Sequence, residues 1–279
     1  MAENKPKRKI RDSVFTNLFQ DKKYLLQLYQ ALHPEDKDTT EEEIADVTIR
    51  HVLTEGDFND LGFSVGNRLM VLVESQSTFT YNIIIRALMY LVQTYHEYFK
   101  RTNQNLYGSR RVAVPKPEMY MVFTGERKNI PDIISLREAF FGGEKIALDV
   151  EVKVLYQENE KDIIGQYIIF CKVYSEQRKI HGNTELAVTE TIRICKDRNV
   201  LREYLISKEQ EVVDIMMTLF DDEQILRAYA KDIADETERK TAERMIKLGK
   251  MSLDEISVCV PALSLDELRE IEAEVMQLS

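Results

Sequence analysis

Residues 60–76 read Asp60-Leu-Gly-Phe-Ser-Val-Gly66-Asn67-Arg68-Leu-Met-Val-Leu-Val-Glu74-Ser-Gln76. Two apolar runs flank a Gly-Asn pair, which is a strong local signal for a β-hairpin. The second run, Leu69 to Val73, is apolar at every position. A strand of that kind needs cover on both faces, so it belongs in the middle of a sheet with helices on each side. The register admits two readings. If Gly66-Asn67-Arg68 is the turn, Asp60 falls opposite Glu74, with β-carbons about 4.5–5.5 Å apart. If the turn is Gly66-Asn67 alone, Asp60 faces Val73, and Asp60 and Glu74 are diagonal on opposite faces. Counting residues leaves both open.

The neighbouring stretches extend this picture. Val14, Leu18, Leu25, Leu28 and Leu32 recur at helical spacing over 12–32, and His33-Pro34 ends the pattern. Residues 47–53 are β-branched and predict a strand. Ile84, Leu88, Leu91, Tyr95 and Phe99 form one stripe of a helix over 81–99. Strands are expected at 119–123 and, from a clean alternation, at 146–155. From about 162 the pattern is helical. The fold class is therefore α/β: a mixed β-sheet flanked by helices, followed by a small C-terminal helical module. In that module Ser252-Leu-Asp-Glu255 and Ser264-Leu-Asp-Glu267 are two capping boxes.

Composition bounds the function. The 279 residues are 44% hydrophobic and 31% charged, too apolar for a disordered chain. The opening residues have no apolar segment behind their charges, so no secretory signal is expected. No stretch reaches the roughly 18 apolar residues of a membrane helix, so no membrane partner is expected either. Three scattered cysteines argue against a disulfide framework or a zinc ribbon and suit a cytoplasmic setting. The net charge of −10 is uneven: residues 206–279 hold 9 Lys+Arg against 18 Asp+Glu. The chain divides on this basis into a nearly neutral domain, 1–205, and an acidic module, 206–279. That module reads as a docking or self-association element, with a homodimer through its helices as one outcome. Two basic clusters stand out on the neutral domain: Lys7, Arg8 and Lys9 with their neighbours, and Arg110, Arg111 and Lys116.

Glu74 ends an apolar strand, where a buried carboxylate needs compensation, and a metal ion is one compensator. Gln76 lies two residues on. The blocks Asn59-Asp60-Leu-Gly-Phe63, Glu74-Ser-Gln-Ser-Thr78, Arg86 with Tyr90, and Pro115-Lys-Pro-Glu118 occur in order. In this the chain resembles the Rpn/transposase branch of the PD-(D/E)XK nucleases, over roughly residues 12–220. The resemblance implies a restriction-endonuclease-like core and Mg²⁺-dependent cleavage of DNA, with Mn²⁺ as a substitute. Asp60 and Glu74 would hold the metal, Gln76 would orient the attacking water, and Arg86 and Tyr90 would support them. The basic clusters would meet DNA. Gln76 stands where the superfamily usually has lysine and carries no charge. A decayed nuclease fold that only binds nucleic acid or protein is therefore the alternative. A literal motif match also occurs at Asp132, Glu151 and Lys153. It carries less weight, because Glu151 and Lys153 fall on the wet side of an alternating strand and no hairpin is expected to bring Asp132 to them.

Overall fold

A two-residue turn, Gly66-Asn67, joins the first long pair of strands, with Gly66 at a left-handed φ of 56°. This is found in the computed structural model, which describes residues 14–46, 60–75 and 79–277. The chain there forms two compact units, divided between Met217 and Thr218.

The first unit is built on a six-stranded mixed sheet in the order β1-β2-β3-β4-β6-β5. The strands are β1 (Ile44–Asp46), β2 (Asp60–Val65), β3 (Arg68–Ser75), β4 (Lys116–Phe123), β5 (Ile133–Ser135) and β6 (Glu151–Leu155). Strands β1, β2 and β3 form an antiparallel meander. Strand β4 returns parallel to β3 after helix α3 (Ile83–Arg101), and β6 is parallel to β4. The fully apolar β3 lies inside the sheet, as its sequence predicts.

Alternation sorts the sheet into two faces. Leu69 and Val71 of β3, Met119, Met121 and Phe123 of β4, and Val152 and Val154 of β6 pack beneath α3 with Ile84, Ala87 and Leu91. The opposite face, with Met70, Leu72, Tyr120 and Val122, is buried on the side of α1 (Val14–Phe19), α2 (Lys22–Leu32) and α5 (Ile163–His181). Phe15 of α1 meets Tyr167 of α5 edge-on, with ring centroids 5.3 Å apart. Helix α6 (Glu185–Asp197) stacks on α5, and α7 (Arg202–Ser207) on α6.

The structure departs from the sequence reading in three places, and a fourth expectation falls where it describes no residues. The expected helix over 12–32 is two helices, because the Asp21 carboxylate caps a new start by accepting from the Lys23 N–H at 2.9 Å. The expected strand at 47–53 lies outside the described residues. The strand expected over 146–155 begins only at Glu151. Just before it, Asp149 accepts from the Arg137 N–H at 3.0 Å and ties the chain to the start of α4 (Leu136–Phe141). Finally, the unit boundary follows packing rather than charge. Val212, Val213 and Met216 at the start of α8 (Glu209–Leu248) are buried, and they fall in the first unit rather than in an acidic module starting at 206.

In the second unit, Ala242 of α8, Ile256 and Val260 around α9 (Leu253–Cys259), and Leu268, Ile271 and Val275 of α10 (Leu265–Gln277) make a small core. Both capping boxes form: Glu255 accepts from the Ser252 N–H, and Glu267 from the Ser264 N–H, each at 2.8 Å. Among the described residues no helix is long and apolar enough to cross a membrane.

A β-carbon at Gly66 would meet nothing within 4 Å, so substitution there tests the backbone alone. Gly66→Ala is expected to lower unfolding free energy by about 1 kcal/mol, the cost of a left-handed alanine. Urea unfolding checks this, and an unchanged midpoint would mean the turn does not fix the hairpin.

Candidate functional site

The register Asp60↔Val73 and Val65↔Arg68 selects the two-residue turn. The directly opposed Asp60–Glu74 pair is therefore not formed. Asp60 occupies the ladder column of Val73, and Glu74 the adjacent one, in register with Val122 of β4. Both positions nonetheless lie at one end of the sheet. Asp60 opens β2, and Glu74 is next to last in β3. That end is also the carboxyl end of the parallel strands β3, β4 and β6. Open α/β sheets bind ligands there, outside the carboxyl ends of their strands. The chain leaves β3 for the N-terminus of α3, and β6 for that of α5, so two helix starts follow this edge. Gln76 lies outside the described residues, as do Lys7, Arg8 and Lys9.

Helix α3 holds the two supporting candidates on successive turns. Arg86 is half-buried in the first turns of the helix. Tyr90 is buried among Val71, Met121 and Leu91, so its ring is part of the apolar core under α3.

The remaining basic candidates sit elsewhere. Arg110 and Arg111 are exposed in the loop that enters β4, and Lys116 is its first residue. They mark the amino end of β4, while Glu74 pairs near its carboxyl end. At about 3.3 Å per residue, the length of β4 separates them by roughly 20 Å. Lys116 moreover turns its ammonium to Glu118, 3.7 Å away. The structure thus does not bring this cluster to the Asp60–Glu74 end.

The alternative motif is also dispersed. Strand β5 pairs antiparallel with β6. But Glu151 pairs with Ser135, whereas the Asp132 carbonyl accepts from Val154 N–H at 2.8 Å and its carboxylate from Tyr156. Asp132 and Glu151 therefore lie at opposite ends of the short ladder. Lys153 lies over the Tyr120 ring, 5.6 Å from its centroid.

At the amino end of the sheet the structure assembles a polar cluster that sequence order does not reveal. His33, the cap of α2, is buried and stacks near Tyr29, ring centroids 4.9 Å apart. Its Nε2 lies 2.9 Å from Glu118 Oε2, and the Tyr120 hydroxyl donates to the same oxygen at 2.9 Å. Its Nδ1 lies 2.6 Å from Arg68 Nη1 and 3.0 Å from Glu35 Oε1. A guanidinium only donates, so Arg68 requires a bare Nδ1, whereas Glu35 requires a protonated one. The two partners compete for one ring nitrogen. Beside the cluster a cleft of ≈ 460 Å³ opens between Tyr29, Asp36, Asp38, Arg68 and Lys116. Tyr29 donates to Asp36 at 2.5 Å, and burial with this bond pushes its hydroxyl up to about 12. The nearest sequence signal was the His33-Pro34 helix stop; its partners are 35 and 85 residues away in the chain.

Burial opposes the charge on Glu118, but the Tyr120 hydrogen bond and the neighbouring His33, Lys116 and Arg68 side chains outweigh it. Its carboxyl is held below the usual carboxylate range. A depressed folded value stabilises the native state above the unfolded pKa of about 4.3, and that contribution is lost as pH falls through the folded value. Among the described residues no group of three or more His, Cys, Asp or Glu side chains could hold a metal ion. The buried Cys195 thiol is pushed up to about 12 by burial, which makes it a poor nucleophile.

No protein-family model, curated protein or solved structure matches this chain.

Glu118→Gln is expected to cost about 1–3 kcal/mol at pH 7, because the amide oxygen can still accept from His33 and Tyr120 but the charge is lost and an NH2 donor is set against the partly solvated donors Arg68 and Lys116. It should also flatten the fall in stability between pH 5 and pH 3. Urea unfolding of both proteins across that range checks it; parallel pH profiles would show that the clamp carries no linkage.

Proposed function

We propose that the chain is a Mg²⁺-dependent DNA endonuclease of the Rpn/transposase type, working at the carboxyl end of β3 and β4. The observation that carries this reading is the placement of Asp60 and Glu74. They stand on adjacent strands, at one end of a mixed sheet flanked by helices, where α/β sheets take ligands. The donor chemistry fits the metal: two carboxylates are hard oxygen ligands, and Mg²⁺ completes its shell with water. Bound there, Mg²⁺ would polarise the phosphodiester and lower the pKa of a bound water. Asp60 and Glu74 would hold it. Gln76, neutral, would orient the attacking water by hydrogen bonding. Arg86 would contact phosphate from α3, whose N-terminus favours anions.

A second reading has its own support. The two-residue turn sets Asp60 against Val73 rather than Glu74, so the two carboxylates are not directly opposed. With Gln76 in place of lysine, this favours a fold that binds nucleic acid or protein without cutting it.

Supercoiled plasmid with Mg²⁺ or Mn²⁺ separates the two. The wild type should nick it, and folded Asp60→Ala and Glu74→Ala proteins should each lose activity about 100-fold or more. Mg²⁺ should also raise the melting temperature of the wild type but of neither variant. Bound but intact plasmid, with no Mg²⁺-dependent shift, would favour the binding module. Cleavage that survives both substitutions would move the site away from the hairpin.

A further inference from the structure

Between α3 and β4 the chain runs through residues 102–115 without helix or strand. Connections in compact domains have a median of about 4–6 residues, and much longer ones are usually functional or disordered. This one is braced by its own hydrogen bonds. The Gln104 side chain closes its neck: the amide nitrogen donates to the Ala113 carbonyl at 3.2 Å, and the amide oxygen accepts from the Ala113 N–H at 2.6 Å. The Tyr95 hydroxyl donates to the Pro115 carbonyl at 2.7 Å and ties the exit of the loop to α3. At the tip, Asn105 Oδ1 accepts from the Tyr107 N–H at 2.9 Å, and the Asn105 carbonyl accepts from the Gly108 N–H at 3.3 Å, which makes a tight turn.

The loop holds out charge of one sign. Between Tyr98 and Pro117 the sequence has Lys100, Arg101, Arg110, Arg111 and Lys116 and no Asp or Glu, in a chain of net charge −10. Lys100 and Lys116 are paired with Glu97 and Glu118, at 3.0 and 3.7 Å. Arg101, Arg110 and Arg111 are exposed and form no ion pair with any described residue. Tyr107 at the tip is 100% exposed, and Leu106 beside it 55%. An exposed tyrosine alone needs no explanation. On a braced loop with unpaired arginines close behind it in the chain, the ring is a flat apolar face set beside free positive charge.

We propose that loop 102–115 binds single-stranded nucleic acid, with an unpaired base stacked on Tyr107 and phosphates held by Arg101, Arg110 and Arg111. Charge selects a polyanion. The ring selects an unpaired base, since a base inside a duplex already has neighbours on both faces. Cations that track the backbone, joined to an aromatic face that accepts any base, are the usual means of holding a single strand. An acidic protein segment would satisfy the arginines but offer the ring no planar partner. Two exposed apolar side chains are a small anchor for a bilayer. The loop enters the amino end of β4, roughly 20 Å from the rung of Glu74. It is thus a site apart from the carboxylates, and the proposal holds whether or not the hairpin cleaves DNA.

Fluorescence anisotropy of the full chain in EDTA, where cleavage is blocked, tests it with labelled oligothymidylate of about 16 nucleotides. A hairpin duplex, oligouridylate and phosphatidylglycerol vesicles are the comparison probes. The wild type should bind the single strand about 10-fold or more tighter than the duplex. Tyr107→Ala should weaken single-strand binding about 10-fold, and Tyr107→Trp should restore it. Replacing Arg110 and Arg111 together by Gln should lower the slope of log K against log salt by about 1.4, two phosphates at about 0.7 each. All these side chains are exposed, so the circular dichroism spectrum and melting temperature should not change. Whichever of oligothymidylate and oligouridylate binds more tightly identifies the strand as DNA or RNA. No binding of either would overturn the proposal, and vesicle binding in their place would assign the loop to a membrane. A duplex bound as tightly as the single strand, or a Tyr107→Ala protein that binds like the wild type, would also overturn it. Single-strand binding that survives the tyrosine and arginine substitutions alike would place the strand elsewhere, as at the carboxyl end of the sheet.

Discussion

The Gly66-Asn67 turn fixes more of this molecule than the hairpin it closes. Its left-handed glycine sets the β2–β3 register, and the Asn67 carbonyl accepts from the Lys116 N–H at 2.7 Å, which fixes where β4 begins. From that one bond follow the parallel rungs Arg68↔Lys116 through Ser75↔Phe123. A one-residue slip would turn every side chain to the wrong face. Leu69 and Val71 would leave α3, and Glu118 would enter the apolar core. The same parity that buries the right residues also separates Asp60 from Glu74. The feature that makes the sheet stable thus bears directly on what its polar end can do.

The sheet has two polar ends with different physical characters. At the amino end, His33, Glu118, Tyr120 and Arg68 satisfy one another and join α2 to β3 and β4. This network serves cohesion, tying three elements together, although Arg68 and Glu35 contest one nitrogen of His33. At the carboxyl end the carboxylate positions terminate strands and the chain turns into helices. Short strand ends and helix starts leave backbone donors available to an anion. Arg110 and Arg111 lie toward the first end, so a basic cluster close in sequence to a strand is no guide to the site that strand serves.

Much of the fold was legible because it rests on local patterns. The unbroken apolar run of β3 announced a central strand, Gly-Asn announced the turn, and two Ser-x-x-Glu boxes announced α9 and α10. What was missed depended on distant partners. The break between α1 and α2 is decided by one aspartate that prefers to cap, at a point where the hydrophobic spacing continues undisturbed. Alternation predicts a strand over 146–155, but the Asp149 carboxylate is engaged with α4 and the strand starts at Glu151. Charge placed a boundary at 206 that packing moves beyond Met216, since acidic residues on the surface say nothing of what Val212 and Val213 bury beneath them. For the candidate site, the pattern gave the residues and left two registers; only the observed turn chose between them. Beyond the His33-Pro34 helix stop, the His33 cluster has no local signature, as its members come from separate stretches of the chain.

Helices α3 and α5 cover opposite faces of one sheet, and comparing them shows what the sheet alone cannot supply. A strand layer buries one side of a helix, and a helix with apolar residues around most of its circumference needs a second layer. The chain builds that layer over α5 from α2 and α6, both drawn from nearby sequence or adjacent turns of the fold. Over α3 the first unit provides only a half-filled contact. Ile84, Ala87 and Leu91 meet the sheet, while Ile85, Met89 and Val92 on the outer side are 38%, 47% and 60% exposed. The sheet thus accounts for one side of α3 and leaves the other apolar and partly exposed.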